Sequence, residues 1–411
     1  MMTIANGIQG RFICPHPTQP DCKVASKIEL RVNEHGVIDT LIDAPNTVVD
    51  DMVWIPGFVD THVHYPQHRV RAQSSGALLP WLEQTVFPEE AKFVSPAYAA
   101  QVAQEFCDAL LKHGTTCAQV FSSSDEIATD QLFETLHAKG LRAQAGLTLM
   151  DQGAPDALCV SAPHAEKAIR RLVKKWHQAD HDRLRFVITP RFALSCSPEL
   201  LRLAGNLSEA LDLPVQTHLS ENLDEIEAVR QMFPDHSDYL NVYEGFNLAH
   251  ERTIFAHTIH LSDAEWSRLE HNQCAISHCP DSNNFLGSGQ FPWRKATQFN
   301  VRIGLGSDVG AGRTYAIRKV ASSAYDVALA GQSRKTPAAL LWHATRGGAL
   351  AVNRSEVGCL APGFECDLVG LHVEGAAHMS DDALFDAILF RDEVRVQSAF
   401  VRGKQVFGRA G

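Results

Sequence analysis

The sequence predicts an α/β protein, a (β/α)8 TIM-like barrel with a small β-sandwich domain that is built from both termini. Between residues 51 and 308, eight short apolar runs alternate with amphipathic segments, which is the pattern of parallel strands joined by crossover helices. Both ends of the chain contain only short alternating stretches, which are typical of antiparallel strands. A chain of 411 residues, 45% of them hydrophobic, is long enough to bury a core of this size.

The predicted barrel spans residues 56–355, and the predicted small domain combines residues 1–55 with residues 356–411. The barrel strands are predicted at residues 53–62, 115–121, 141–150, 184–191, 214–219, 253–258, 274–279 and 301–308. The terminal strands are predicted at residues 4–12, 27–32, 37–42, 367–372, 394–401 and 405–407. Ligands of such barrels bind at the carboxyl ends of the parallel strands, so functional residues are expected at those ends.

Two of the predicted helices have clear start signals. Ser95 and Ser197 are each followed by a proline, which combines an N-cap residue with a proline in the first turn. Gly114 follows the first of these helices, and glycine is favoured just after a helix C-terminus.

The composition excludes several classes of protein. The chain has 37 basic and 48 acidic residues, a net charge of −11, and no basic run, so nucleic-acid binding is not expected. No apolar stretch reaches the roughly 18 residues that a membrane span needs, and residues 1–10 lack the features of a secretory signal. The ten cysteines are scattered, without a Cys-x-x-Cys pair, which favours a cytoplasmic protein with reduced thiols.

His62 and His64 end the first predicted strand, in the sequence DTHVH. Side chains two residues apart point to the same side of a strand, so both imidazoles can face the barrel axis and bind one metal ion. Two buried histidines with a structural role would produce the same pattern. This pair alone therefore leaves both alternatives open.

Three further predicted strands carry metal-ligand side chains at their carboxyl ends, namely His218, His257 and Asp308. Each one could be a buried polar side chain, but their placement at the same end of one barrel favours a shared metal site. Several imidazoles with one carboxylate suit zinc or another borderline divalent metal better than calcium or magnesium.

Glu221 lies three residues after His218, in the sequence THLSE. A water that a metal activates needs a neighbouring base, and a carboxylate that does not bind the metal can accept the proton and pass it on. The alternative is a carboxylate at the N-terminus of a helix over residues 222–232, where the helix dipole favours negative charge.

Motifs along nearly the whole chain resemble one known family. The most specific is PGFVDTHVHYPQ at residues 56–67, and the others are WL at 81–82, FP at 87–88, TPRF at 189–192, THLSE at 217–221, FAH at 255–257, SHCPDSN at 277–283, GLGSDVGAG at 304–312, PG at 362–363 and DL at 367–368. Together they resemble the guanine deaminases of the amidohydrolase superfamily. The sequence departs from the family pattern at residues 284–286, at Ser307 and at Arg346, but at none of the candidate ligands.

The resemblance implies a function and a set of roles. It implies hydrolytic deamination of guanine to xanthine and ammonia in purine catabolism or salvage, by a homodimer with one Zn²⁺ per chain and with Fe²⁺ as the second candidate. It makes Glu221 and Asp308 the catalytic carboxylates, with Glu221 protonating a ring nitrogen. It assigns the metal to His62, His64, His218, His257 and Asp308, and the purine contacts to Gln67, Trp81, Arg191, Phe192 and Glu221.

Alternative interpretations exist for the purine contacts and for the function. Arg191 could form a surface or interdomain ion pair, Trp81 and Phe192 could be ordinary core residues, and residues 65–93 could form a lid or an oligomer contact. Within enzymes, the alternative is a related aminohydrolase or chlorohydrolase acting on 8-oxoguanine, a pterin or a triazine. Outside enzymes, it is a noncatalytic scaffold. A nucleic-acid deaminase does not fit the acidic charge or the absence of a Cys-x-x-Cys zinc site.

Overall fold

A computed structural model of the chain describes residues 4, 7–74 and 76–409. Its strands are β1 Ile8–Pro15, β2 Cys22–Val32, β3 Ile38–Asp43, β4 Met52–Pro56, β5 Phe58–His64, β6 Thr115–Phe121, β7 Arg142–Gly146, β8 Thr148–Leu149, β9 Leu184–Phe186, β10 Thr189–Pro190, β11 Val215–Leu219, β12 Thr253–His257, β13 Ala275–His278, β14 Arg302–Leu305, β15 Leu368–His372, β16 Arg395–Val401 and β17 Lys404–Gly408.

The α-helices are α1 Leu78–Trp81, α2 Phe87–Glu90, α3 Pro96–Lys112, α4 Glu126–Lys139, α5 Ala162–Trp176, α6 Ala179–Asp182, α7 Pro198–Ala210, α8 Leu223–Met232, α9 Tyr239–Gly245, α10 Asp263–His271, α11 Pro280–Leu286, α12 Trp293–Gln298, α13 Ile317–Ala330, α14 Pro337–Trp342, α15 Gly348–Ala351 and α16 Asp381–Phe390. Short 3₁₀ turns lie at Tyr65–Val70, Ala91–Val94, Asp156–Leu158, Ala193–Ser195 and Ala376–His378, and π-helical turns lie at Leu82–Val86 and His343–Gly347.

Two four-stranded parallel sheets form the centre of the fold. Their strand orders are β5-β6-β7-β9 and β11-β12-β13-β14, and every neighbouring pair is parallel. Helices lie between successive strands, as α3 does between β5 and β6. The arrangement confirms the predicted α/β class.

Backbone hydrogen bonds join the two sheets at both of their outer edges. Ile188, just after β9, forms a parallel bridge with Val215 of β11. At the other edges, the Asp308 N–H donates to the His62 carbonyl oxygen at 2.8 Å, and the His64 N–H donates to the Val309 carbonyl oxygen at 3.0 Å. The carboxyl end of β5 is therefore held beside the segment that follows β14.

The prediction of a single strand at residues 53–62 is wrong. This segment is divided between β4, which pairs with β1 and β15 in another sheet, and β5, which pairs with β6. Gly57 separates the two strands, and a Cβ atom at this position would lie 1.8 Å from Thr116 Oγ1. The apolar character continues across Gly57, so the sequence pattern does not reveal that the chain changes sheets there.

The third and fourth predicted barrel strands are interrupted. The first of them contains β7 and β8 and the second contains β9 and β10, and the short strands β8 and β10 pair with each other. A Cβ atom on Gly146 would lie 1.9 Å from the Val187 carbonyl oxygen. The backbone segments that follow β7 and β9 therefore approach each other closely where the predicted strands are interrupted. The other parallel strands after β5 lie within their predicted ranges.

Strands from both ends of the chain form one seven-stranded mixed sheet in the order β17-β16-β15-β4-β1-β2-β3. A β-sandwich requires two separate sheets, so the predicted sandwich is wrong for the described residues. β4 pairs with β1 on one side and with β15 on the other, and thereby joins the N-terminal strands to the C-terminal ones. Residues 5 and 6 of the strand predicted at 4–12, and residues 1–3 and 410–411 of the predicted small domain, lie outside the described residues.

The predicted helix signals lie at observed helix ends. Ser197 is the N-cap of α7, and its side chain accepts a hydrogen bond from the Leu200 N–H. Ser95 precedes Pro96 at the start of α3, and Gly114 lies beyond the end of α3 with φ of +83°. In the described part of the chain, no helix combines the length and the apolar character that a membrane crossing requires.

Candidate active site

Imidazole and carboxylate side chains converge at the carboxyl ends of the parallel strands. His62 and His64 lie on β5, two residues apart, and their Nε2 atoms are 3.1 Å from each other. Asp308 Oδ1 lies 3.2 Å from each of these two nitrogen atoms. The His-x-His spacing therefore brings both rings to the same point, as the strand period requires.

His218 and His257 complete this group from the second parallel sheet. His218 lies on β11, with Nε2 3.3 Å from His64 Nε2, and His257 ends β12, with Nε2 3.8 Å from Asp308 Oδ2. His62 belongs to two overlapping sets of three side chains whose ligand atoms all lie within 4.8 Å of one another. We call the whole group the donor half of the site, and its members are His62, His64, His218, His257 and Asp308.

The hydrogen bonds of two rings fix which nitrogen atom is available. His218 Nδ1 donates to the Arg191 carbonyl oxygen at 2.5 Å, and His257 Nδ1 contacts Asn283 Oδ1 at 2.9 Å. Each Nε2 atom then carries a lone pair that points into the group, which is how metal-binding histidines are usually oriented.

The donor half fits a divalent metal ion of the zinc type. Burial lowers the pKa values of His62, His64 and His218, so these rings are neutral, as metal ligands must be. Burial raises the pKa of Asp308, but its hydrogen bonds with His62 and His64 outweigh burial, and this pKa lies well below its ordinary value. Ligand atoms 2.0–2.1 Å from a tetrahedral zinc would lie about 3.4 Å apart, close to the spacings seen here.

The backbone is strained where it presents these donors. His257 has φ of +71° and Asp308 has φ of +46°, a conformation that costs non-glycine residues energy and that is often found at functional sites. Asp60, which lies on β5, supports this region, because its carboxylate accepts hydrogen bonds from the Ser307 N–H at 2.9 Å and the Ser307 hydroxyl at 2.5 Å. Asp60 thereby fixes the residue that precedes Asp308.

Glu221 is buried beside the donor half and points into it. Its Oε2 atom lies 3.4 Å from His257 Nε2, and its Oε1 atom accepts a hydrogen bond from the Ser288 hydroxyl at 2.9 Å. Burial raises the pKa of Glu221 to about 8, and the charge of Asp308 adds to this effect. The side chain does not cap α8, whose N-cap is Asn222, so the alternative of a helix-terminal carboxylate does not describe it.

A cavity opens onto these groups, and it is lined by His64, Gln67, Leu78, Trp81, Leu82, Arg191, Phe192, His218, Glu221, Glu225, His257, Leu286 and Asp308. All four residues with predicted purine contacts besides Glu221 belong to this lining. We call them the recognition half of the site, and its members are Gln67, Trp81, Arg191 and Phe192. His62 lies behind the cavity wall.

Arg191 does form an ion pair, but not on the surface. Its Nη1 atom lies 2.6 Å from Glu90 Oε2, and both side chains are about 95% buried, with 4% and 5% exposed. The other Glu90 oxygen, Oε1, accepts a hydrogen bond from Gln67 Nε2 at 3.1 Å. The sequence reasoning gave Glu90 no role, although it follows the FP motif at 87–88 by two residues.

The two aromatic residues of the recognition half are buried, with 3% exposure for Trp81 and 6% for Phe192. Trp81 donates from its indole N–H to the Gln73 carbonyl oxygen at 2.7 Å. Each residue packs in the core and also lines the cavity, so core packing does not exclude contact with a ligand in the cavity.

Part of the predicted lid segment at residues 65–93 lines the cavity, namely Gln67, Leu78, Trp81 and Leu82. The segment contains the 3₁₀ turn Tyr65–Val70, α1, the π-helical turn Leu82–Val86 and α2, and it supplies Gln67 and Trp81. Sequence reasoning found no element here, because short helical turns of mixed type have no sustained period.

Sequence reasoning missed several residues that support Glu221 and His257. Ser288 donates to Glu221, and Asn283 orients His257. Glu225 is buried in the cavity wall, accepts a hydrogen bond from the Glu221 N–H at 3.0 Å, and is itself contacted by the Tyr239 hydroxyl at 2.8 Å. Burial raises the pKa of Glu225 to about 7. The only available signal was the SHCPDSN motif, which contains Asn283.

Comparisons with known proteins agree with this geometry. Residues 53–406 match the profile of the Amidohydrolase family. Guanine deaminase of Escherichia coli (strain K12) is 36% identical over 367 residues, which cover 86% of this chain and 83% of that protein. The solved structure of E. coli guanine deaminase superposes with a TM-score of 0.92 at 32% identity, covering 98% of this chain and 100% of that one. Guanine deaminase from C. acetobutylicum, solved with bound guanine in the active site, superposes with a TM-score of 0.90 at 29% identity, covering 97% of this chain and 99% of that one.

Proposed function

The chain belongs to the amidohydrolase family and, within it, to the guanine deaminases, and from this premise we propose that it hydrolyses guanine to xanthine and ammonia. The observation that carries the proposal is that one cavity holds the donor half, Glu221 and the recognition half together. A noncatalytic scaffold has no need to keep this set, so the scaffold alternative is the weaker one.

In the net reaction, the C2–N bond to the amino group breaks and a bond from C2 to a water oxygen forms. The metal ion, when bound by the donor half, would supply a Lewis acid that makes water nucleophilic near neutral pH. We assign proton transfer to Glu221. Its pKa of about 8 lets the carboxyl group accept a proton and donate it to a guanine ring nitrogen, which makes C2 electrophilic.

In the free site Asp308 is ionised, because its pKa lies well below its ordinary value. Its carboxylate can accept a hydrogen bond from the attacking water and hold that water towards C2. After protonating the ring, Glu221 can take the remaining proton of the water from the new C2 hydroxyl group and pass it to the amino nitrogen. The C2–N bond then breaks, ammonia leaves, and C2 keeps the water oxygen as a carbonyl. Ser288 holds Glu221 from the side opposite His257, so the carboxyl group stays between the water and the ring.

The recognition half would hold the base. Arg191 can donate to the guanine carbonyl oxygen, and Gln67 can hydrogen-bond a ring nitrogen. Trp81 and Phe192 supply apolar faces for the ring, and Leu78, Leu82 and Leu286 complete the wall, which suits a flat aromatic ligand.

The finer parts of the proposal have separate support. The hydrogen bonds at both edges of the two parallel sheets support a closed (β/α)8 barrel. The end of β4 at Pro56 supports a barrel domain over residues 56–355, with the terminal sheet outside it. Zinc is supported over iron by the family resemblance alone. A cytoplasmic location is supported by ten unpaired cysteines, and a homodimer by the family resemblance alone.

The test is a substrate panel. Purified protein is incubated with guanine, 8-oxoguanine, adenine, cytosine, a pterin and a triazine, and released ammonia is measured. We expect guanine to give the highest kcat/KM. A higher value for any other base would replace guanine deamination with the related aminohydrolase activity on that base.

A further inference from the structure

Glu90 lies behind the recognition half and contacts two of its members. We propose that Glu90 is a positioning residue for base recognition, which fixes the orientation of Gln67 and Arg191 and cancels the charge of Arg191, so that the cavity selects an uncharged purine. The inference rests on the proposed function, since it names how that function obtains its specificity.

The two oxygen atoms of Glu90 are divided between the two partners. Oε1 accepts from Gln67 Nε2 at 3.1 Å and Oε2 accepts from Arg191 Nη1 at 2.6 Å. Glu90 is 4% exposed. Gln67 follows β5 and Arg191 follows β10, so a single carboxylate connects residues from distant parts of the chain.

The hydrogen bond with Glu90 fixes which atom of the Gln67 amide group is available to a ligand. The Gln67 Oε1 atom accepts a hydrogen bond from the Gly310 N–H at 3.2 Å while Nε2 donates to Glu90. The reversed amide would place its oxygen against the carboxylate and its NH2 against an N–H donor. The second hydrogen of Nε2 is therefore the donor that Gln67 can offer to an acceptor on the base.

Glu90 and Phe87, both on α2, hold the guanidinium of Arg191. Its central carbon lies 5.3 Å from the centre of the Phe87 ring, and Glu90 binds one end of it. Among the side-chain nitrogen atoms of Arg191, Nη1 is the one with a hydrogen-bond partner in the described residues. Nη2 and Nε remain as donors in a side chain that lines the cavity.

The charge of the pair has a consequence for ligand choice. A buried guanidinium without a counter-charge attracts anions strongly, because the local dielectric constant is low. With Glu90 beside it, Arg191 offers N–H donors without net charge, which suits guanine with its acceptor oxygen. An anionic purine such as urate would gain no net attraction, because the Glu90 carboxylate lies just behind the N–H donors of Arg191 and repels the anion.

The test compares Glu90→Gln with Glu89→Gln in metal-loaded enzyme. Glu89 is the adjacent buried carboxylate on α2, 5% exposed, but it binds Lys92 and Tyr98 and contacts neither Gln67 nor Arg191. For Glu90→Gln we expect the KM for guanine to rise about tenfold with kcat within about threefold of wild type, as for one buried polar group left unpaired. We also expect inhibition by urate to strengthen about tenfold or more. Glu89→Gln should change neither value.

The outcomes separate this inference from the proposed function. If wild type does not deaminate guanine, the proposed function fails. If wild type is active but Glu90→Gln matches Glu89→Gln in KM and in urate inhibition, the positioning role is overturned. If Glu90→Gln loses both kcat and bound metal without a gain in urate binding, the proposal is also overturned, because such a loss is expected of a residue with a purely structural role.

A second pair of variants covers the case in which Glu90→Gln does not fold. Arg191→Met and Arg191→Met/Glu90→Gln remove the cation first, so the double variant carries no unpaired guanidinium. Because Arg191→Met alone leaves the Glu90 carboxylate without its counter-charge, direct binding of urate should be stronger in the double variant. An unchanged urate affinity on adding Glu90→Gln would contradict the proposal, since the charge of Glu90 would then not act on the cavity.

Discussion

The donor half and the recognition half face the same cavity but are built from different parts of the fold. The donor half lies at strand ends or in the turn just after a strand, where the register of the parallel sheets fixes each backbone position. Gln67 and Trp81 of the recognition half lie on short helical turns after β5, and a carboxylate from α2 orients Gln67 and Arg191. The chemistry is thus set by the sheet, whereas the specificity is set by side-chain contacts between segments. Changes in the donor half should therefore abolish turnover, and changes in the recognition half should change which base is used.

The largest effect should follow removal of the metal. Because the donor half brings several imidazoles and one carboxylate to ligand-atom spacings that suit zinc, we expect about one zinc ion per chain in protein purified without chelators. Dialysis against a chelator should abolish guanine turnover, and added zinc should restore it. Elemental analysis and ammonia release measure the two quantities. Full activity in metal-free protein would contradict the assignment of the donor half.

The second largest effect should follow Glu221→Gln. Glutamine keeps the size of the side chain but cannot accept and return a proton, so we expect kcat to fall by about two to four orders of magnitude while the metal content and Tm are retained. The matched control is Glu227→Gln on α8, an exposed residue that pairs with Arg230. Turnover close to wild type would remove Glu221 from the proton-transfer role.

A smaller and more selective effect should follow Arg191→Ala. Loss of one donor to the guanine carbonyl oxygen should lower kcat/KM for guanine by about ten- to a hundredfold, with metal content unchanged because the side chain of Arg191 is not a donor to the metal. The exposed Arg202→Ala serves as the control. Wild type should also discriminate strongly against adenine, which has no carbonyl oxygen at that position. Equal rates of wild type on adenine and guanine, or an unchanged kcat/KM in Arg191→Ala, would contradict the assignment of base selection to the recognition half.

The smallest effect should follow Ser288→Ala, which removes the side-chain hydrogen bond to Glu221 but leaves the carboxyl group in place. We expect kcat to fall by about two- to tenfold, the usual value of one hydrogen bond, with KM for guanine nearly constant because Ser288 does not line the cavity. Steady-state kinetics with guanine give both values. A change in KM alone would mean that Ser288 acts on the recognition half instead.

Local sequence patterns were sufficient to predict the α/β class and the side chains of the donor half. The period of two in DTHVH places His62 and His64 on one side of a strand, and apolar runs that end in His218, His257 and Asp308 mark strand ends without any knowledge of the fold. Local sequence was sufficient because a strand end and its side-chain direction are properties of a few consecutive residues.

The sheet that each strand joins and the contacts that support the site depend on the packing of distant segments. The move from β4 to β5 at Gly57 depends on the close approach of Thr116, and the terminal strands close into one sheet through β4. The contact of Glu90 with Gln67 and Arg191 joins three segments that are far apart in the sequence. Neither periodicity nor composition carries such information, because a long-range contact depends on how whole elements pack against one another and not on the order of neighbouring residues.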